Sequence, residues 1–174
     1  MPKACAKSRV ELGVRWNFLS GLAFDSIYAT TYDMTPRIVV NTSVFTVALI
    51  GTAGPNREIL RRCLKRQYQP LLGNALFSEY ADVSTRPHIL EKCPVSDDDI
   101  QALLKAFCSV SEWIPIYYLW RPNLADEADN HLLELAAAGN AEWVVTNNIR
   151  DFKQTELNFP GIQILTPEQM LEVS

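Results

Sequence analysis

A chain of 174 residues with 48% hydrophobic and 21% charged content has the size and composition of one ordinary globular domain with a proper core. The net charge of −4 argues against a sequence-independent nucleic-acid coater, which would be strongly basic. No apolar stretch approaches the roughly 20 residues of a membrane span. The four cysteines (Cys5, Cys63, Cys93 and Cys108) form no C-x-x-C pair and stand beside only two histidines. This argues against structural zinc and for reduced thiols in a cytoplasmic protein.

Residues 1–33 carry Lys3, Lys7, Arg9 and Arg15 ahead of a broken apolar stretch, "WNFLSGLAF". The stretch is short and interrupted for a signal peptide. "MTPRIVV" instead puts Met34 as an initiator directly before the first strand, so the fold is expected over 34–174. "RIVV" is a β-branched run suited to a buried parallel strand. Helix is expected from about Thr42, and again from Pro55 to Gln67, with Pro55 in a first turn. "YQPLLG" reads as a short strand, and "NALFSEYADVSTRP" as helix up to the Pro87 boundary. Ser96 with Asp99 three residues later is a capping-box start for the next helix.

"WIPIYY" is expected to be extended, and "ADEADNHLLELAAAG" is the clearest helix. It has Leu124, Ala128, Leu132, Leu135 and Ala136 on one face and Gly139 as its stop. "EWVVT" and "GIQIL" are further strands, and "TPEQMLEV" is a last helix capped by Thr166. Strands alternating with helices, without hairpin signals, predict an α/β domain with a parallel sheet covered on both faces.

In such sheets ligands sit beyond the carboxyl ends of the strands. Asn41 ends the first strand. Asp126 and Asp129 precede or open the long helix, and Thr146, Asn147, Asn148 and Asp151 follow the fourth strand. Glu79 lies within a helix among apolar Ala75, Leu76 and Val83, where a carboxylate needs a partner or a cation. Singly, each has a plainer reading: Asp126 and Asp129 suit a helix N-terminus, and Asn147, Asn148 and Asp151 suit turns. Together they predict a pocket of oxygen donors for a hard divalent ion, Mg2+ or Mn2+, able to activate water against a phosphodiester. "NREILRRCLKRQ" sets Arg57, Arg61 and Lys65 at i, i+4 and i+8, flanked by Arg62 and Arg66, against one Glu58. The choice is between a solvated face and a contact for RNA phosphate or an acidic partner, and the excess of cations favours the contact.

The stretches "RIVVNTSVFTVAL", "LFSEYADVSTRP", "RPNLADEADNHLLELAAAGNAEWVVTNNIRDF" and "ILTPEQML" together resemble the PIN-domain ribonucleases, most closely the VapC-like toxins of toxin–antitoxin modules. The resemblance runs from about Arg37 to Glu172. It implies an α/β/α sandwich around a parallel sheet of four to five strands and an acidic pocket for Mg2+ or Mn2+. It also implies cleavage of single-stranded RNA, homodimers and a cognate antitoxin protein. By position it puts the family's acids at Asn41, Glu79, Asp129 and Asp151. Ser43 and Thr146 are then the pocket's polar residues, and Asn148 stands where some relatives carry another acid. Glu79, Asp129 and Asp151 are expected to be catalytic, with Asp126 and Asn41 completing the ligands. At position 41 the family has aspartate. An amide oxygen still coordinates a hard cation but adds no charge, so the departure bears on activity and not on fold. The rival reading is a catalytically silent PIN-like module that binds RNA or an antitoxin. A flavodoxin-like nucleotide domain is disfavoured because no glycine-rich phosphate loop follows the first strand.

Overall fold

The computed structural model describes residues 35–117, 129–152 and 159–173. Residues 1–33, Leu124, Asp126 and Ala128 lie outside the described residues.

Five short strands make one all-parallel sheet. They are β1 (Arg37–Val40), β2 (Gln69–Leu72), β3 (Glu112–Trp113), β4 (Trp143–Val145) and β5 (Gln163–Leu165). Their order is β3-β2-β1-β4-β5, so β1 is central and the strand order reverses around it. Ile38, Val39 and Val40 are at most 1% exposed, which is why "RIVV" reads as an unbroken apolar run rather than an alternating one.

The helices are α1 (Thr42–Ile50), α2 (Pro55–Leu64), α3 (Asn74–Val83), α4 (Pro87–Leu90), α5 (Asp97–Val110), α6 (Asn130–Ala138) and α7 (Pro167–Val173). α5 starts in the expected capping box, with the Ser96 hydroxyl and the Asp99 carboxylate serving each other's backbone N–H. α7 is capped the same way by Thr166 and Gln169. Beneath the rim, Phe45 stacks on Tyr80 with centroids 4.4 Å apart, and both meet Phe107, tying α1, α3 and α5 into one aromatic layer. The Tyr80 hydroxyl donates to the Val40 carbonyl at the end of β1. Burial pushes its pKa well up, so it stays a donor.

Three boundaries differ from expectation: those of α2 and β3, and that of α3, which ends at Val83 short of Pro87. α2 stops at Leu64 rather than Gln67, because Arg66 turns into the left-handed region at φ 58°. The third strand is Glu112–Trp113 rather than "WIPIYY", since backbone pairing with Leu71 and Leu72 defines it. α6 does end at Gly139, but not for want of a left-handed residue. Gly139 has φ −94° and Asn140 takes φ 50° instead. A Cβ on Gly139 would lie 2.4 Å from Leu71 Cδ1 and 3.1 Å from the Leu135 carbonyl, so a side chain there would force the buried Leu71 side chain to shift.

Candidate active site

The carboxyl ends of β1 and β4 lie side by side: Asn41 N–H donates to the Val145 carbonyl (2.9 Å) and Thr146 N–H to the Leu165 carbonyl (3.0 Å). Asn41 is 7% exposed and Thr146 fully buried, so their polar atoms must be satisfied within the protein. Asn41 caps α1 by accepting from Ser43 N–H through Oδ1 (2.9 Å), while its Nδ2 donates to Thr146 Oγ1 (3.1 Å). The same threonine oxygen accepts from Asn148 N–H (3.1 Å). The Asn148 amide in turn donates to Asp151, which sits in a short 3-10 turn over Ile149–Phe152. Asn147 closes the loop on α1, donating through its N–H to Ser43 Oγ and through Nδ2 to the Ser43 carbonyl.

A second arm begins at the next residue. Thr42 Oγ1 donates to Glu79 Oε2, and the other Glu79 oxygen lies 3.3 Å from His131 Nε2. Glu79 is not enclosed among apolar side chains as expected: its side chain is 42% exposed and Ala75 is at the surface. Its partners are a threonine and a histidine that sequence spacing did not single out. Asp129 stands at the N-cap of α6, two residues before His131. The structure thus links Asn41, Ser43, Thr146, Asn148 and Asp151 in one network, while Glu79 bonds separately to Thr42, the residue after Asn41. Asp126 is outside the described residues.

Among the described residues no three of His, Cys, Asp and Glu gather closely enough to hold an ion. On the described part of the rim, Glu79 turns to Thr42 and His131, and Asp151 to Asn148. The donors still fit Mg2+ or Mn2+ in kind, because they are carboxylate and amide oxygens, and Asn41 Oδ1 keeps a lone pair beyond the one used by Ser43.

The basic helix is not on this rim. Arg62 donates to the Tyr68 hydroxyl (2.8 Å) just before β2, and the Tyr68 ring meets Trp143 at the start of β4. With Pro36, which precedes β1, these residues line one cavity at the amino ends of the strands. Arg61 and Arg62 both pair with Glu58, and Arg57 donates to the Gly51 carbonyl (2.6 Å). The two guanidinium hydrogen bonds, Arg61 first, hold the Glu58 carboxyl down to about 2.

A family model described as "PIN domain" matches residues 37–150, well over half of the chain. The chain belongs to the PIN-domain family. The matched range takes in Asn41, Glu79, Asp129, Thr146 and Asn148 and stops one residue short of Asp151. Among solved structures, the PIN domain is similar to the crystal structure of VapBC2 from Rickettsia felis bound to a DNA fragment from their promoter. The TM-score is 0.51 at 18% identity, over 75% of this chain and 98% of that one, a likeness of fold. No curated protein matches. The α/β/α sandwich with its central parallel sheet, here of five strands, is therefore the PIN fold. Among the described residues no helix is long and apolar enough to cross a membrane.

Proposed function

We propose that this PIN domain is a divalent-ion-dependent endoribonuclease acting on single-stranded RNA, the toxin partner of a cognate antitoxin protein, and weakened by Asn41. The observation that supports the reading is a PIN-domain chain whose carboxyl rim carries Asp151 linked through Asn148 and Thr146 to Asn41, with Glu79 held by the adjacent Thr42. Glu79, Asp129 and Asp151 are the proposed ligands, with Asp126 and the Asn41 oxygen as additional donors. Mg2+ is commonly held by one or two carboxylates, waters and substrate phosphate, so RNA itself supplies what a sparse acid set lacks. When bound, the ion would activate water and neutralise charge developing on the scissile phosphate.

The chain's own residues have definite tasks. The Thr42 hydroxyl holds the Glu79 carboxylate by a hydrogen bond, with His131 Nε2 3.3 Å from its other oxygen. Thr146 fixes the Asn41 amide, and Asn148 fixes Asp151. Because α2 lies at the amino ends of the strands, Arg57, Arg61, Arg62, Lys65 and Arg66 are proposed for the antitoxin side rather than for RNA. A homodimer belongs to the same reading and is testable by light scattering.

The decisive test is cleavage of a fluorescent single-stranded RNA with Mn2+ or Mg2+, with and without EDTA. Metal-dependent cleavage that is lost on Glu79→Gln supports the reading. RNA binding without cleavage, at any metal concentration, would favour the silent binding module that the neutral Asn41 suggests.

A further inference from the structure

The carboxyl rim carries two features that the pocket does not use. At one edge, Trp113 is the last residue of β3, in register with Leu72, the last of β2. Its side chain is 49% exposed and leans on Phe77 of α3, itself 37% exposed, with ring centroids 5.7 Å apart and planes at 59°. An exposed tryptophan on a two-residue edge strand adds little to the core, and the tilted pair forms an open two-walled corner. Across the rim, Arg150 lies between Asn148 and Asp151, exposed and without an ion pair among the described residues. The α2 arginines, by contrast, are engaged by Glu58, Tyr68 and Gly51 at the far end of the sheet.

We infer that a single RNA strand crosses this rim, one base stacking in the Trp113–Phe77 corner and the backbone meeting Arg150 on the other side of Asn41. This rests on the ribonuclease reading above and deepens it by assigning the substrate track. The strand order puts Trp113 and Thr146 three inter-strand intervals apart, about 14 Å at the usual spacing, with Asn41 at the end of β1 between them. Single strands are held by an aromatic face for the bases and a cation for the phosphates, and the rim offers one of each. Stacking needs an accessible π-face, which an unpaired base provides and a duplex withholds. The corner therefore selects single-stranded substrate.

The test is anisotropy of a labelled single-stranded RNA against the full chain in EDTA, so that binding is read without cleavage. Trp113→Ala should weaken binding about tenfold and Trp113→Phe much less, following the usual worth of one stacked base. Arg150→Gln should weaken binding and lower the salt slope by about one counterion. Thermal melts of each variant check that the fold is retained. Unchanged affinity in Trp113→Ala and Arg150→Gln, with wild-type protein that binds and cuts RNA, overturns the track and leaves the ribonuclease reading intact. Wild-type protein that neither binds nor cuts RNA overturns both. Variants that bind RNA normally but no longer form a complex with a protein partner overturn the track in favour of a protein interface.

Discussion

The Asn41 amide donates to the Thr146 hydroxyl across 105 residues of sequence, joining the end of β1 to the end of β4 at 3.1 Å. Both side-chain ends of Asn41 are thereby committed, one to Thr146 and one to capping α1. An aspartate can keep the cap and accept from the threonine hydroxyl, so Asn41→Asp should fold without rearrangement. It adds a negative charge beside Glu79 and Asp151, which costs the metal-free protein a little stability by repulsion. Calorimetry should show tighter Mn2+ or Mg2+ binding, and RNA cleavage should rise. If the aspartate form binds metal no better and cuts no faster, Asn41 is not part of the ion site.

Asn41→Ala probes the other commitment. Losing the cap of α1 should cost about 1 kcal/mol, the usual worth of an N-cap side chain. The loss should appear as a lower urea midpoint with an unchanged slope.

Glu79→Gln keeps the shape of the side chain and an oxygen for the Thr42 hydroxyl while removing the charge. Half-exposure at this position means that melting should barely move. Cleavage should be abolished. A variant that cuts RNA normally would remove Glu79 from the catalytic set.

Gly139→Ala should destabilise the domain by about 1–3 kcal/mol, the usual cost of overpacking. The new methyl meets Leu71 Cδ1 at 2.4 Å, the Leu135 carbonyl at 3.1 Å and Ile114 Cγ1 at 3.2 Å. Denaturant unfolding measures it, and Leu71→Ala in the same chain should recover part of the strain.

Glu58 predicts a specific acid limb. Its folded carboxyl is lowered from 4.5 to about 2 by hydrogen bonds from Arg61 and then Arg62. A depressed acid stabilises above its unfolded value, and that contribution fades as pH falls through the folded one. Glu58→Gln should therefore lower the melting temperature slightly at neutral pH and make it less sensitive to acid between pH 4.5 and 2. The difference should be small, as expected of a surface pair.

The strands were legible because a parallel sheet buries both faces, so "RIVV" and "WVV" stand out as apolar runs. The capping box at Ser96 was legible because its chemistry is contained within four residues. Arg66 was not, since nothing about an arginine announces a left-handed turn. β3 starts ahead of the apolar run because an edge strand is defined by its neighbour and not by its own composition. At the site, the positions at the strand ends could be read from the rule that ligands sit beyond the carboxyl ends. The directions of Glu79 and Asp151 could not, because they are set by Thr42, His131 and Asn148 through contacts made only in three dimensions. His131, one of two histidines and close to Asp129 in sequence, is the signal in the sequence that bears on Glu79. The spacing of the α2 arginines was real, but spacing along a helix does not say at which end of a sheet the helix will lie.

The central position of β1 also bears on when the molecule becomes whole. β1 can pair with β2 as soon as the first third of the domain has left the ribosome, but its other edge waits for β4, whose pairing begins at Trp143. Such distant pairings are slow to form and come late in synthesis. Until then Asn41 and Glu79 exist without Thr146 and Asp151. A half-made chain therefore has the shape of one side of the pocket and none of its closure, and any cutting activity would arise only in the finished product.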